Sequence, residues 1–256
     1  MQLCITVGGI LVSLLPFKGE MKSISISFLF ICSLLFFWHN ALSNTRHGFP
    51  EPFITDYGIL HNCGLEYIIG EYPINPLNSP NFGDIIEDLY SYARNSCEMP
   101  ALTTGQLDSI ISIVENSPIG SNYPDEFVTA LIAYAINEHP EYEELLSKYN
   151  TLWGLVGSEE STSTIKNYYE NEILHGEWSD LEEIAVAAAD DVYEDSKSFW
   201  ESGESLKPEP VSDMIGQAVF TLLAVELGPF AGLAGVIGGI IVSYAVAGLV
   251  DNWGTW

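Results

Sequence analysis

Positive charge is what this chain has least of. Its 256 residues include 8 Lys plus Arg against 35 Asp plus Glu, a formal net charge of −27 at pH 7. Such a surface repels phosphate backbones and anionic lipid headgroups, which argues against nucleic acid as a partner. A cationic amphipathic membrane helix is missing for the same reason. Catalytic signatures are missing too: no calcium-loop consensus, phosphate-binding glycine loop, zinc motif or Gly-x-Ser-x-Gly elbow occurs. Strand-like alternation is nearly absent, and nothing repeats at a fixed period. What remains is apolar. Of all residues 47% are hydrophobic and 12% aromatic, so the acidity does not imply disorder. The length gives one domain, or two small ones, with ample material for a core.

The N-terminus reads as an export signal. From Met21, "MKSISISFLFICSLLFFWHNALS" offers a short basic region at Lys22, an apolar stretch over Ile24–Trp38, and small residues at Ala41 and Ser43. Those two fall at the −3 and −1 positions of a cleavage site before Asn44. Residues 1–43 form the expected signal region, with Met21 as its start and the first 20 residues as an upstream extension. The alternative is a pair of short membrane segments joined around Lys18 and Lys22. Cys32 follows Ile31 where a lipoprotein signal wants a small residue, so lipidation is disfavoured. Cleavage after Ser43 leaves Cys63 and Cys97 as the remaining cysteines. In an exported chain the two can pair, and the closed loop contributes roughly 3–4 kcal/mol in the chain-entropy model. Two separately buried thiols are the other reading.

Residues 44–201 pattern as a helical domain. "NTRHGFPEPFIT" (44–55) is an extended lead-in, and Asp56 caps a helix to about Ile69 with Leu60, Cys63, Gly64 and Tyr67 on one face. A proline-rich loop (72–81) precedes a helix to Ser96 that stripes Ile85, Leu89 and Tyr92. Residues 103–117 bury Leu107, Ile110, Ile111 and Val114. Pro124 opens a well-buried helix, which His139-Pro140 breaks. "EYEELLSKYN" (141–150) reads as a shorter, more exposed successor, and "TLWGLVG" (151–157) as loop or strand. Helical patterns resume over 161–175, and again after Ser179 and Glu182, whose spacing suits a capping box, to about Glu201. "SGESLKPEP" (202–210) is the linker. The expected class is all-α, an irregular helical bundle.

Residues 211–256 form the expected C-terminal hairpin. Ser212 caps a first helix over 213–227, Gly228-Pro229 turns the chain, and a second apolar helix covers 230–250. Ala231, Gly235, Gly239, Ser243 and Ala247 recur every fourth position, and Ala224, Gly228 and Gly232 make a shorter second row. Each row on a helix is a flat seam that lets another helix come close, giving a glycine-zipper-like hairpin. Over its length the second helix reaches about 31 Å, enough for a bilayer. Trp253 and Trp256 can anchor at an interface, but Gln217, Glu226 and the missing basic flank oppose a span. Burial against the preceding helices is the expected outcome, with membrane insertion of 213–250 as the alternative.

One further motif is Gly58-x-x-His61-Asn62-x-x-Leu65-x-Tyr67-Ile68. It resembles the opening helix of uncharacterised exported proteins of Bacteroidota, many of which also end in a glycine-spaced apolar hairpin. The resemblance covers the signal, this motif and the last 40 or so residues. It implies a helical, exported protein and no particular activity. His61 and Asn62 are adjacent and point about 100° apart on a helix, so they do not hold one substrate atom together. A structural cap is the expected role, with a ligand or catalytic role, His61 beside Glu66 for instance, as the other.

Two more constellations carry weaker signals. Glu172-x-x-His175 has di-metal spacing but lacks the second pair such a site needs. Asp190, Asp191, Glu194 and Asp195 set like charges one turn apart, as a solvated face or a weak calcium contact. The expectation is therefore an exported, non-enzymatic protein with no catalytic residue, metal or cofactor. Its role is interaction or structure, with a protein partner, in the periplasm, at the cell surface or outside the cell. The rival expectation is a membrane-active or membrane-anchored, bacteriocin-like protein.

Overall fold

The computed structural model describes residues 4–7, 10–13, 56–72, 81–119, 124–158, 160–200 and 208–250. The chain divides into two compact units, residues 1–46 and 47–256. In the first, Cys4–Val7 pairs antiparallel with Ile10–Ser13, Ile5 opposite Val12. The sequence reading did not anticipate this ribbon. The expected signal core, Ile24–Trp38, lies outside the described residues, as does the cleavage site.

The second unit is all-α among the described residues. Its helices are α1 Tyr57–Glu71, α2 Phe82–Ser96, α3 Thr104–Asn116, α4 Pro124–Glu138, α5 Glu143–Gly157, α6 Thr162–Tyr168, α7 Asp180–Phe199, α8 Pro208–Leu223 and α9 Ala231–Val250. Their starts follow the local chemistry of the chain. Asp56 accepts the Ile59 N–H, Asn81 the Gly83 N–H and Ser161 the Thr164 N–H, so each satisfies an amide that a helix N-terminus leaves unpaired. Thr103 and Gln106 cap each other reciprocally. The Glu182 carboxylate reaches back to both the N–H and the hydroxyl of Ser179.

The C-terminal pair is the centre of the core. All of α8 from Pro210 to Leu223 is buried, and so is α9 from Ala231 to Tyr244. A helix that is apolar all round must be enclosed on every side, by protein or by lipid. Here α8 and α9 run antiparallel: Gly216 faces Val242, and Gly235 faces Gln217 and Thr221. α1 lies on α9, α7 packs against both α8 and α1, and α4 with α5 supports α8. The α2–α3 pair flanks α1.

Several expectations are corrected. Pro208–Pro210 begin α8 rather than ending a linker, because proline suits a helix's first turn. α8 stops at Leu223, and Val225–Phe230 forms a 3-10 turn in which Gly228 takes φ +55°, a left-handed conformation that glycine adopts without a Cβ penalty. The second row of small residues, Ala224, Gly228 and Gly232, therefore does not lie on one helix. α5 is neither short nor exposed, since "TLWGLVG" continues it and Leu145, Leu146, Tyr149, Leu152 and Trp153 are all buried. Its apolar positions recur at 3.6 spacing only when 141–157 is read as one segment. The buried face of α1 is Tyr57, Gly58, Leu60, His61, Gly64, Leu65 and Ile68, so Cys63 and Tyr67 sit at its edge.

Candidate functional site

The polar groups with most structural consequence meet where α1 crosses α8 and α9. His61 is fully buried there, alongside Leu60, Leu65 and Ile68 of the same helix. Its Nε2 lies 3.0 Å from Ser243 Oγ on α9, and the Ser243 hydroxyl is within donating distance of the Gly239 carbonyl at 2.8 Å. Nδ1 lies 3.3 Å from the Asn62 side-chain oxygen. One neutral tautomer donates from Nε2 to Ser243 Oγ; the other donates from Nδ1 to Asn62 Oδ1, and its Nε2 accepts the Ser243 hydroxyl. A Cβ built on Gly239 would lie 3.2 Å from Gln217 N and 3.6 Å from the His61 ring, so the glycine is the space that lets three helices meet.

The neighbouring motif positions act in the same way. A Cβ on Gly58 would sit 2.6 Å from the Asp191 carbonyl, and one on Gly64 would sit 2.6 Å from Ile240. Leu65 is fully buried, and Tyr67 stacks on Tyr92 of α2 with ring centroids 4.1 Å apart. Cys63 and Cys97 are joined in a disulfide, which ties the middle of α1 to the end of α2. The row on α9 divides between neighbours: Gly235 and Gly239 face α8, and Ser243 faces His61, while Ala231 and Ala247 are buried at either end.

Residues beyond the motif complete the junction. Asp191 on α7 accepts the N–H of Tyr57 at 2.5 Å and of Gly58 at 3.1 Å, putting a carboxylate on the positive end of α1. Burial, then Asp191, pushes the Tyr57 phenol up to about 12. Asp195 lies against Gly58, and burial followed by the charges of Asp56, Asp191 and Glu194 holds its carboxyl above the usual range. Asp190 is raised as well, mainly by burial, against a 2.7 Å bond donated by Tyr169. In α8, the fully buried Gln217 donates to the Gly232 carbonyl at 3.1 Å, and the fully buried Asp213 accepts Trp200 Nε1 at 2.7 Å. Sequence reading noted Gln217 only as an obstacle to a span; a lone amide in an apolar helix was the signal for an interhelical bond.

The weaker constellations do not assemble. Glu172 pairs with Lys148 at 3.0 Å, while His175 Nδ1 faces the Glu170 carbonyl. Glu66 is exposed and His61 buried, so they are not partners. Among the described residues no group of three or more His, Cys, Asp and Glu side chains is placed to hold a metal ion. A cleft of about 370 Å³ between α4 and α5 is lined by Thr129, Asn150, Trp153, Gly154, Gly157 and Ser158, none of them ionisable. Comparison with protein-family models, curated proteins and solved structures finds no match to this chain.

Proposed function

We propose that this is an exported, non-enzymatic helical protein with an interaction or structural role, whose C-terminal pair of helices serves as the packing core. One observation carries the reading. Most polar side-chain groups of the α1–α8–α9 junction are directed at one another and at backbone carbonyls, as His61 with Ser243 and Gln217 Nε2 with Gly232 illustrate, while the buried Gln217 Oε1 and Asp213 Oδ1 meet no partner among the described residues. Groups spent on joining helices are not poised for chemistry, which needs them to converge on a reacting atom. The acidic surface fits a protein partner and opposes nucleic acid. Export would put the chain in the periplasm, at the cell surface or outside the cell. Sedimentation in detergent-free buffer tests the reading: the full exported chain should run as one soluble species. A chain lacking residues 211–256 should lose its cooperative unfolding transition. A folded remainder would refute the core role.

The second reading, a membrane-active or membrane-anchored protein, is favoured by a different observation. Val225–Ala247 is long and apolar enough to cross a bilayer, with a mean hydropathy of 2.0. The same property is required of a core helix enclosed on all sides, and 83% of an 18-residue apolar stretch within this segment is buried. Flotation with lipid vesicles separates the two.

A further inference from the structure

We infer that α1 is a clasp over α9 and that the Cys63–Cys97 disulfide locks it, so that reducing this bond gives α9 access to a lipid bilayer. The inference rests on the membrane reading just described. α8 covers one side of α9, and α1 is the principal cover outside that hairpin, touching it at three levels. Tyr57 lies over Gly232, His61 over Gly239 and Ser243, and Gly64 over Ile240. Asp191 grips the first two N–H groups of α1, while the disulfide, the Tyr67–Tyr92 stack and a hydrogen bond from the Tyr72 hydroxyl to Asp88 join α1 to α2, the disulfide being the covalent tie among them.

Both cysteines are only half-buried, so a dithiol can reach them. One thiolate of the dithiol attacks one sulfur, breaking the Cys63–Cys97 bond and releasing the other cysteine; its second thiolate then attacks the mixed disulfide and releases the first. The protein gains two electrons and two protons as two thiols, and the reductant leaves as a cyclic disulfide. α9 from Ala231 to Val250 carries no charge and spans about 30 Å. Gly228, at the turn before it, is the natural pivot. α8 stays behind, because its buried Asp213 and Gln217 oppose entry into lipid. A chain of net charge −27 is repelled by anionic lipid, which makes a neutral membrane the target.

The full chain is incubated with phosphatidylcholine vesicles, with and without dithiothreitol, and floated on a density gradient. In parallel a Glu-specific protease reports on α1 through Glu66 and Glu71, and on α5 through Glu143 and Glu144. Reduction should move the protein to the floating fraction and speed cleavage in α1 by at least about tenfold, with α5 unchanged, as expected for a local opening. The Cys63→Ser/Cys97→Ser double variant should do both without reductant. Flotation of the oxidised protein would refute the lock and leave the membrane reading standing. Faster α1 cleavage with no flotation of the reduced protein or the variant would remove the membrane reading, and this inference with it. Unchanged α1 cleavage, or faster cleavage in α5 as well, would refute the clasp.

Discussion

Replacing Gly239 by leucine tests the three-helix junction at its tightest point. The residue lies in the middle of α9, and a Cβ there would already sit 3.2 Å from Gln217 N and 3.4 Å from Gln217 Cα. Those are backbone atoms and cannot rotate away. The other side is closed by the His61 ring at 3.6 Å, itself fixed to Ser243. Three further carbons therefore require α8 to move or His61 to leave its site. Overpacking of this kind costs typically about 1–3 kcal/mol, occasionally more, and an immovable backbone neighbour points to the upper end. Leucine is the better helix former, by somewhat under about 1 kcal/mol, which opposes the loss. The net expectation is destabilisation by about 2 kcal/mol. For a domain of this size that lowers the melting temperature by roughly 4–8 °C. Ile241→Leu, equally buried but volume-conserving, should cost less than about 1.5 kcal/mol. Thermal unfolding by circular dichroism measures both. A Gly239→Leu protein that melts at or above the parent temperature would show that no helix closes on this face.

Other consequences can be checked by simple variants. Ser243→Ala should cost about 1–3 kcal/mol, because the buried imidazole Nε2 is left without a partner; Ser198→Ala, at an exposed position, should stay within about 0.5 kcal/mol in the same denaturant titration. Asp190 and Asp195 titrate higher in the folded chain than in the unfolded one. The folded state thus binds more protons in that window, and stability from these two falls as pH rises through it. Asp195→Asn should raise the melting temperature at pH 7 and flatten its decline above the ordinary carboxylate range, whereas an unchanged profile would contradict the burial argument. Cys63 and Cys97 should resist alkylation in unfolded, non-reduced protein, and mass spectrometry finding two modified thiols would exclude the bridge. N-terminal sequencing of the chain found outside the cytoplasm should begin at Asn44; an intact Met1 or Met21 would remove the export signal.

Helix positions were legible where short-range chemistry sets them. Asp56, and Ser179 with Glu182, mark their helix starts because a cap is a contact within three or four residues; the Thr103–Gln106 box has the same spacing and was passed over. Proline read the other way at 208–210, where a first turn looks like a linker until its packing is known. The motif around His61 was visible as a pattern, but its function as a packing surface was not. Gly58, Gly64 and His61 meet Asp191, Ile240 and Ser243, and those pairs are separated by more than 130 residues of chain. The cap that Asp191 supplies to α1 was invisible for the same reason, and its acidic run looked like a solvated face. Gly228 shows the limit of counting small residues: one left-handed residue breaks a row that spacing alone would continue.

The central claim is that α9 is the enclosed core of this bundle, held between α8 and the His61 face of α1. Native-state hydrogen exchange of the oxidised full chain in detergent-free buffer tests it most directly. The amides of Val236–Ser243 should be among the slowest in the molecule, exchanging only through global unfolding. Exchange in that segment as fast as on the exposed face of α3, around Thr104–Ser109, would mean that α9 is not enclosed by protein, and the account would be wrong.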